Sequence, residues 1–298
     1  MTAPRQILAG SSYLVTRRCA QRQFLLKPSA AVNAIFKFVL AVAAARYGIL
    51  VHAYCVLSNH FHLVVTDPRA QLPRFEQFLD SVVARALNAL YGRAENLWAT
   101  SSYSAVRLET PRDLLDKMVY TLANPVAAGL VAHGRDWPGL WSAPGRIGGE
   151  AEVVERPDFF FKPDGTMPET APLRLVLPPG FTGAEAFRRE LIAALDERER
   201  TIAQERRKNG KPFLGVRRVL AQRHTDHPGQ AKAKRGMNPR VAARDKWKRI
   251  EALGRLVSFL ADYRAALAKL RAGVRDVVFP AGTYQLRVAF GVSCASAG

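Results

Sequence analysis

Two hydrophobic periodicities alternate through the first half of the chain. Short runs rich in β-branched and aromatic residues have the two-residue repeat of strands, and longer runs between them have apolar residues at helical spacing. The predicted strands span 12–17, 50–57 and 61–66, the predicted helices span 29–46, 71–91 and 111–123, and 97–108 is either a strand pair or a loop and a strand. The order β-α-β-β-α-β plus a helix predicts an α+β fold, with an antiparallel sheet of the split β-α-β type covered on one face by helices.

The second half has a different pattern. Pro and Gly are frequent between about 145 and 182, where we expect a domain boundary. We therefore predict a first domain at 1–145, a linker or boundary region at 146–182, and a mainly helical extension at 183–298. Within the extension, 184–206 and 244–271 have helical spacing.

The charge of the chain narrows the class of partner. It has 44 Lys and Arg residues against 25 Asp and Glu, a net charge of +19. The segment 206–249 holds 15 of the basic residues and only two acidic ones. With 48% hydrophobic residues the chain can form a core, so this charge indicates a polyanionic partner, either nucleic acid or an anionic membrane. Gly and Pro interrupt the basic clusters, which indicates basic turns between short helices.

The apolar runs do not predict a membrane span. The longest run, 36–45, is interrupted by Lys37 and closed by Arg46, and is far shorter than the roughly 20 residues that a spanning helix needs. Residues 1–10 have no secretion signal, so we expect a cytoplasmic, nucleoid-associated protein without membrane contact. Three scattered cysteines without paired spacing are expected to be free or buried thiols: Cys19, Cys55 and Cys294.

Candidate metal ligands occur at the start of the run 61–66. Side chains of a strand point alternately to its two faces, so His60 and His62 share one face and Phe61 lies on the other. Two neighbouring imidazoles on an open face suit a divalent metal ion. The alternative is a pair of half-exposed strand histidines without a function, and the spacing alone does not separate the two interpretations.

A second candidate group lies on the helix predicted at 111–123. Thr110 as N-cap, proline at the first position and Asp113 at the third mark its start. Tyr120 and Asn124 are four residues apart and are expected to point the same way. The alternative interpretations are an amphipathic edge residue for the tyrosine and an ordinary helix end for an asparagine before proline.

Together these segments resemble the single-tyrosine HUH transposases and, among them, the REP-associated tyrosine transposases. The first motif is Asn59-His60-Phe61-His62, at the end of an aromatic-rich strand. The second is Tyr-x-x-x-Asn-Pro-Val-x-Ala-Gly-Leu-Val, which extends from Tyr120 to Val131 and is followed by Trp137 and Trp141-Ser142. The resemblance covers roughly residues 10–145.

The resemblance implies a ferredoxin-like sheet and a metal-dependent reaction on single-stranded DNA. Tyr120 would attack a phosphodiester in hairpin or palindromic repeat DNA, leaving a 5′-phosphotyrosine and a free 3′-hydroxyl. Mg²⁺ or Mn²⁺ would lie between His60 and His62, with Asn124 as a third ligand, a holder of a metal-bound water, or only a helix cap. A tyrosine with a pKa near 10 is a poor nucleophile, which fits a need for a metal. Many relatives have Arg where this chain has Ala127, so one phosphate contact is missing.

The basic segment is expected to hold the DNA backbone without taking part in the chemistry. Its candidate DNA-binding residues are Arg217, Arg218, Lys232, Lys234, Arg235, Lys246, Lys248 and Arg249. Trp247 either stacks on a base or anchors the last long helix to the core, and we expect the anchor. A homodimer is one option for the assembly.

Three alternatives remain open from the sequence. A domesticated DNA-binding or RNA-binding protein could keep this fold without cleaving. A relaxase or replication initiator of the wider HUH class would share the chemistry. A zinc site at His224 and His227 lacks further ligands, so a turn is expected there.

Overall fold

A five-stranded sheet organises the structure, a computed structural model that describes residues 4–100, 103–229 and 239–296. Its strand order is β2-β3-β1-β4-β7. The strands are β1 (Ser11–Arg18), β2 (Leu50–Leu57), β3 (His60–Asp67), β4 (Ser104–Leu108) and β7 (Val241–Ala242). The first four pair antiparallel, and β7 adds to β4 in parallel. The α+β class and the β-α-β-β-α-β order of the first elements are confirmed.

Two long helices cover the face of the sheet that carries Phe61. They are α1 (Ala30–Tyr47) and α2 (Leu72–Tyr91), and both end at a glycine with left-handed backbone, as helices commonly do. Phe61 is fully buried between them and the sheet, with ring centroids 5.2 Å from Phe36 and 5.7 Å from Trp98. This face is therefore packed around aromatic rings.

A third helix, α3 (Pro111–Leu122), packs on the opposite face of the sheet and is followed by one short turn, α4 (Asn124–Ala127). The expectation that the helices cover one face is thus wrong for α3. The physical reason is that this second face also carries apolar residues that need cover. They lie side by side on three strands: Leu14, Val64 and Val106.

The segment 146–182, expected as a linker or boundary region, is packed into the same core. Its hairpin, β5 (Glu152–Glu155) and β6 (Thr170–Leu173), lies against α1, and the ring of Phe161 is 5.2 Å from that of Phe38. The long helix α5 (Ala184–Lys208) follows and buries Phe187 and Leu191 against α3. The Pro and Gly residues of this region form turns between packed elements and do not mark an extended linker.

The extension is mainly helical, as expected, and its short strand β7 pairs with β4 at the edge of the sheet. Its helices are α6 (Val216–Ala221), α7 (Lys246–Arg271) and α8 (Gln285–Phe290). Val219 of α6 is buried beside Leu57 and Trp137. A separate small cluster around Phe279 packs α7, and the amide of Ile7 donates to the carbonyl of Gly282.

Of the helices within the described ranges, α1 alone is long and apolar enough, by length and composition, to cross a membrane. It is also the central core helix, with 56% of its residues buried inside the protein. Core helices of folded proteins pass the same test by length and composition. All three cysteines are free, as expected, and Cys19 and Cys55 are buried.

Candidate active site

The two histidines lie side by side at the start of β3. Their ring centroids are 4.9 Å apart and the rings are nearly perpendicular, at 89°. His62 is buried at 4% exposure, whereas His60 is half-buried. The alternation predicted from the sequence is confirmed, because both imidazoles lie on the face opposite Phe61. The face is not open as expected, since α3 covers it.

Hydrogen bonds orient both imidazoles through the same ring nitrogen. Nδ1 of His60 lies 2.6 Å from Oδ1 of Asn59, an acceptor, so this Nδ1 carries a proton and donates. Nδ1 of His62 lies 2.7 Å from the hydroxyl of Thr16 on β1, which can accept in the same way. A proton on Nδ1 places the lone pair on Nε2, the arrangement that second-shell partners impose on metal-binding histidines.

Tyr120 of α3 meets this pair from above the sheet. Its ring centroid lies 5.3 Å from that of His62, and the side chain is 47% exposed. The ammonium of Lys117, one helical turn earlier, lies 5.7 Å from the tyrosine ring. The structure places Tyr120 beside His62, as the family resemblance implies. Sequence reasoning missed Lys117, since the only sequence signal for it is its three-residue spacing from Tyr120.

The position of Tyr120 is fixed at both ends of α3. At the start, the amide of Asp113 donates to Thr110 Oγ1 at 3.2 Å, and the amide of Thr110 donates to Asp113 Oδ2 at 3.0 Å. At the end, the indole of Trp141 donates to the carbonyl of Leu122 at 2.9 Å. The Trp141 segment itself bonds to β2, since the amide of Val56 donates to the carbonyl of Leu140. Trp141, which follows the second motif, thus ties α3 to the sheet.

Asn124 is placed differently from Tyr120. Helix α3 ends at Leu122, so Asn124 begins the short helix α4 and is buried at 8% exposure. Tyr120 is 47% exposed, so the two side chains differ in burial. The assignment of Asn124 as a metal ligand stays a prediction.

The donor set fits a loosely held divalent ion. Within the described residues there is no group of three or more His, Cys, Asp or Glu side chains that could hold a metal. Two imidazoles would therefore supply the protein's nitrogen ligands, and the remaining positions would be filled by oxygen atoms of water, substrate or an amide. Mg²⁺ and Mn²⁺ prefer oxygen ligands and keep several waters, so two imidazoles fit such an ion only with water and substrate phosphate oxygens filling the other positions.

Three other tyrosines, Tyr54, Tyr91 and Tyr103, are less readily ionised than an ordinary phenol. Burial raises the pKa of Tyr54 and that of Tyr91 to about 12, and burial also raises the pKa of Tyr103. Each of these hydroxyls therefore holds its proton more tightly than an ordinary phenol. Tyr120 is distinguished from them by its exposure and by its contact with His62.

The basic residues of the extension lie in two places. Arg217 and Arg218 are exposed on α6. The next residue, Val219, is buried in the same apolar cluster as Leu57, and Leu57 is paired with His60 across β2 and β3. A second group is exposed on the first turn of α7, which follows the strand at the other edge of the sheet: Lys246, Lys248 and Arg249. Lys232, Lys234 and Arg235 lie outside the described residues.

Two further residues, Trp247 and Arg18, lie where the sequence did not predict them. Trp247 is 73% exposed on α7, so the expectation that it anchors the helix to the core is wrong. Arg18, which sequence reasoning missed, pairs with His60 across β1 and β3 and is exposed. Directly paired residues share a face, so Arg18 adds a guanidinium beside the histidines. Only the strand register reveals it.

The fold and site define an α+β protein with a histidine pair on a sheet and a tyrosine on the helix that covers it. Among solved structures, the chain is similar to a REP-associated tyrosine transposase bound to a REP hairpin, with 18% identity and a TM-score of 0.40, over 47% of this chain and 81% of that one. It is also similar to a candidate transposase from Deinococcus radiodurans R1, with 22% identity and a TM-score of 0.28, over 36% of this chain and 85% of that one.

The first of these structures belongs to the group that the two sequence motifs resemble. Both TM-scores are low, so neither likeness decides what this chain does. No protein-family model matches the sequence, and no curated protein matches it.

Proposed function

We propose that this chain is a metal-dependent endonuclease and strand transferase of single-stranded DNA, a transposase, with Tyr120 as its nucleophile. The observation that carries the proposal is the half-exposed Tyr120 ring 5.3 Å from His62, which in turn lies 4.9 Å from His60. A nucleophile beside two oriented imidazoles is a recognisable arrangement for phosphodiester cleavage. His60 and His62 would hold Mg²⁺ or Mn²⁺, and Asn124 is proposed as an additional oxygen ligand.

In the proposed reaction the phenol oxygen of Tyr120 attacks the phosphorus atom. The bond from phosphorus to the 3′-oxygen breaks as the bond to tyrosine forms, which leaves a 5′-phosphotyrosine and a 3′-hydroxyl. The phenol loses one proton to solvent and the leaving oxygen gains one, so the protons balance. One phosphoester bond forms as another breaks, so their number is unchanged. Another 3′-hydroxyl can reverse the step without a nucleotide cofactor.

Fixed charges around the site support this chemistry. Lys117 lies beside the tyrosine ring and Arg18 beside His60, so both can face the phosphate whose charge is redistributed in the transition state. When bound, the divalent ion would neutralise phosphate charge and help the 3′-oxygen to leave. Trp141 and the Thr110 cap keep α3, and with it the phenol, in register with the histidines.

The proposed DNA partner follows from charge and from the motif resemblance. Arg217 and Arg218 project from α6 next to the site, while the basic first turn of α7 lies beyond the far edge of the sheet. We propose that these residues bind the DNA backbone without contributing to bond cleavage. Hairpin or palindromic repeat DNA is the substrate class that the motif resemblance favours.

The test is covalent capture of the DNA. Wild-type protein with a labelled single-stranded hairpin and Mn²⁺ should form an adduct that survives denaturing electrophoresis. Tyr120→Phe should bind the same DNA and form no adduct, because only the attacking oxygen is removed. Tyr91→Phe is the matched control and should form the adduct normally, since the Tyr91 hydroxyl has no hydrogen-bond partner within the described part of the chain.

Two outcomes would contradict the proposal. An adduct that persists in Tyr120→Phe assigns the reaction to another tyrosine. Wild-type protein that binds the hairpin and never forms an adduct would favour a nucleic-acid-binding protein that has kept the fold without the chemistry.

A further inference from the structure

A strained turn lies beside the histidine pair, directly after β1. Gln21 and Arg22 in this turn both have left-handed backbone, with φ of 50° and 60°. Glycine adopts this conformation readily, but other residues adopt it at a cost that the surrounding structure must offset. The other non-glycine residues with positive φ in the described ranges, Ala70 and Phe160, each stand alone. Two strained residues in succession beside candidate catalytic groups indicate that the shape of this turn serves the site.

The turn is bound to the backbone of its neighbours. The amide of Cys19 donates to the carbonyl of Asn59 at 2.8 Å, and the amide of Ala20 donates to the carbonyl of Leu97 at 2.8 Å. Within the turn, the amide of Gln23 donates to the carbonyl of Ala20 at 3.0 Å. These hydrogen bonds hold the strained backbone in one conformation, next to the residue that precedes His60.

The product of this conformation is the position of one carbonyl group. Nδ2 of Asn59 donates to the carbonyl of Arg22 at 3.2 Å, and Oδ1 of the same amide lies 2.6 Å from Nδ1 of His60. An asparagine amide has one end that donates and one that accepts, and a carbonyl can only accept. The carbonyl of Arg22 therefore takes the donor end and leaves Oδ1 for the imidazole. Turned the other way, the amide would donate to Nδ1 of His60, and the proton of the neutral ring would lie on Nε2.

The extension is bound to the loop that follows this turn. Nζ of Lys27 donates to the carbonyl of Gln222 at 2.7 Å and to that of Leu220 at 3.3 Å, at the end of α6. The amide of Phe24 donates to the carbonyl of Asp226 at 2.8 Å. The backbone of α6 and of the residues after it thus holds the loop that places the Arg22 carbonyl.

We propose that Asn59 is a positioning residue for His60, and that the turn at Gln21 and Arg22 decides which end of its amide faces the ring. This arrangement holds the proton of His60 on Nδ1 and leaves Nε2 for the ion. The inference rests on the proposed function, since it treats His60 as a metal ligand. It also gives the backbone of α6 a role besides the DNA binding proposed for its arginines.

The first measurement is the tautomer of His60 in the full chain without metal or DNA. NMR of the ¹⁵N-labelled ring at alkaline pH, where histidine is neutral, shows which nitrogen carries the proton. The wild type should carry it on Nδ1. Asn59→Ala should move it to Nε2, the nitrogen that neutral histidine favours in water. Asn59→Asp keeps an acceptor and should keep the proton on Nδ1.

The matched control for Asn59→Ala is Asn33→Ala. Asn33 is also a half-buried asparagine whose Nδ2 donates to a backbone carbonyl, that of Pro138 at 3.0 Å. Its loss should leave the signals of His60 unchanged. Thermal unfolding of each variant checks that it is folded.

The backbone of the turn is tested at Gln21, whose side chain is exposed. Gln21→Gly permits the left-handed φ and should keep the Nδ1 proton. Gln21→Val introduces a β-branched residue that opposes this φ, so it should displace the Arg22 carbonyl and move the proton toward Nε2. Lys27→Met removes two hydrogen bonds to the end of α6 and should act in the same direction by a smaller amount.

The second measurement is the Kd for Mn²⁺ by titration calorimetry without DNA. Asn59→Ala should weaken binding by about 10-fold to 100-fold, as the loss of a hydrogen-bond partner of a metal-binding histidine does. Asn33→Ala should bind as the wild type does. Because no cleavage is involved, this readout does not depend on the activity of the protein.

Three results would overturn the proposal: a wild-type His60 with its proton on Nε2, an unchanged tautomer in Asn59→Ala, or equal effects of Gln21→Gly and Gln21→Val. An unchanged tautomer in Lys27→Met would overturn the part assigned to the extension. Failure of the proposed function is a separate result. Wild-type protein with the Nδ1 proton that never forms a DNA adduct would overturn that function, while the control of His60 by Asn59 would stand.

Discussion

The two faces of β3 are built from the same eight residues and have opposite properties. Phe61, Leu63 and Val65 point into the core under α1 and α2, and these three side chains are fully buried. His60 and His62 point to the other face, where α3 closes most of the surface and leaves Tyr120 half-exposed. The comparison teaches that the packed face holds the strand rigid, so that two imidazoles on the other face can be fixed by one hydrogen bond each.

The largest expected effect comes from the polar face. His60→Ala or His62→Ala should each abolish adduct formation, because each removes one of the two imidazoles proposed to hold the metal while the core face is unchanged. Adduct yield over a Mn²⁺ titration measures this, and EDTA should stop the wild-type reaction as well. His227→Ala, on the exposed surface, is the control and should react normally. Undiminished cleavage in EDTA would show that the histidines do not act through a metal.

A substitution on the core face should lower the stability of the fold. Phe61→Ala removes a fully buried ring that contacts Phe36 and Trp98, and it should lower the free energy of unfolding by about 3–5 kcal/mol. Urea unfolding measures the change. Phe290→Ala, at a side chain that is 75% exposed, is the matched control and should cost little. A loss below about 1 kcal/mol for Phe61→Ala would mean that this face is not the rigid support of the site.

A smaller effect is expected from the hydrogen bond that links β1 to His62. Thr16→Val keeps the shape of the side chain and removes the hydroxyl 2.7 Å from Nδ1. The Mn²⁺ concentration for half-maximal adduct formation should rise about 10-fold to 100-fold, as second-shell changes at metal sites do. Thr16→Ser restores the hydroxyl and should restore the metal dependence. If Val and Ser behave alike, the hydroxyl does not orient His62.

The smallest effect concerns an acidic pair on the core side of the sheet. Glu76 is fully buried, and burial raises its pKa. Burial also raises the pKa of Asp80 to about 7, although Arg17 forms an ion pair with Asp80. Arg5 and Tyr103 lie near Glu76. The folded state therefore keeps protons that the unfolded chain has released above about pH 4. The free energy of unfolding should fall as the pH rises from about 4 to about 7.

Glu76→Gln should make this fall shallower, because the glutamine cannot ionise. Chemical unfolding at several pH values measures the slope, and Glu197→Gln, at an exposed position, should leave it unchanged. A stability that rises between pH 4 and 7 in the wild type, with the same course in Glu76→Gln, would show that the pair is not held protonated.

The sequence could predict what depends on local periodicity. The alternation around Phe61 placed the histidines on one face, and the Thr110 and Asp113 cap marked the first turn of the tyrosine helix. The strand order could be anticipated because the β-α-β-β-α-β sequence restricts how such a sheet can be connected. These features depend on residues a few positions apart.

What the sequence could not predict depends on contacts between distant segments. Arg18 reaches His60 only through the β1 and β3 register, and Trp141 reaches Leu122 only through a segment that pairs with β2. The packing of 146–182 was misjudged because Pro and Gly mark turns in a core as well as linkers. The exposure of Trp247 was not predicted, because a single tryptophan gives no indication of whether it is buried or exposed.

The packing of α5 on α3 has a consequence for the time at which the protein becomes competent during synthesis. Tyr120 leaves the ribosome well before Phe187 and Leu191, the residues that cover the outer side of its helix. At usual elongation rates, the interval between the end of α3 and the end of α5 is roughly 4–17 s. During that interval the sheet can form while the outer surface of α3 still lacks the apolar cover that α5 gives it in the folded chain.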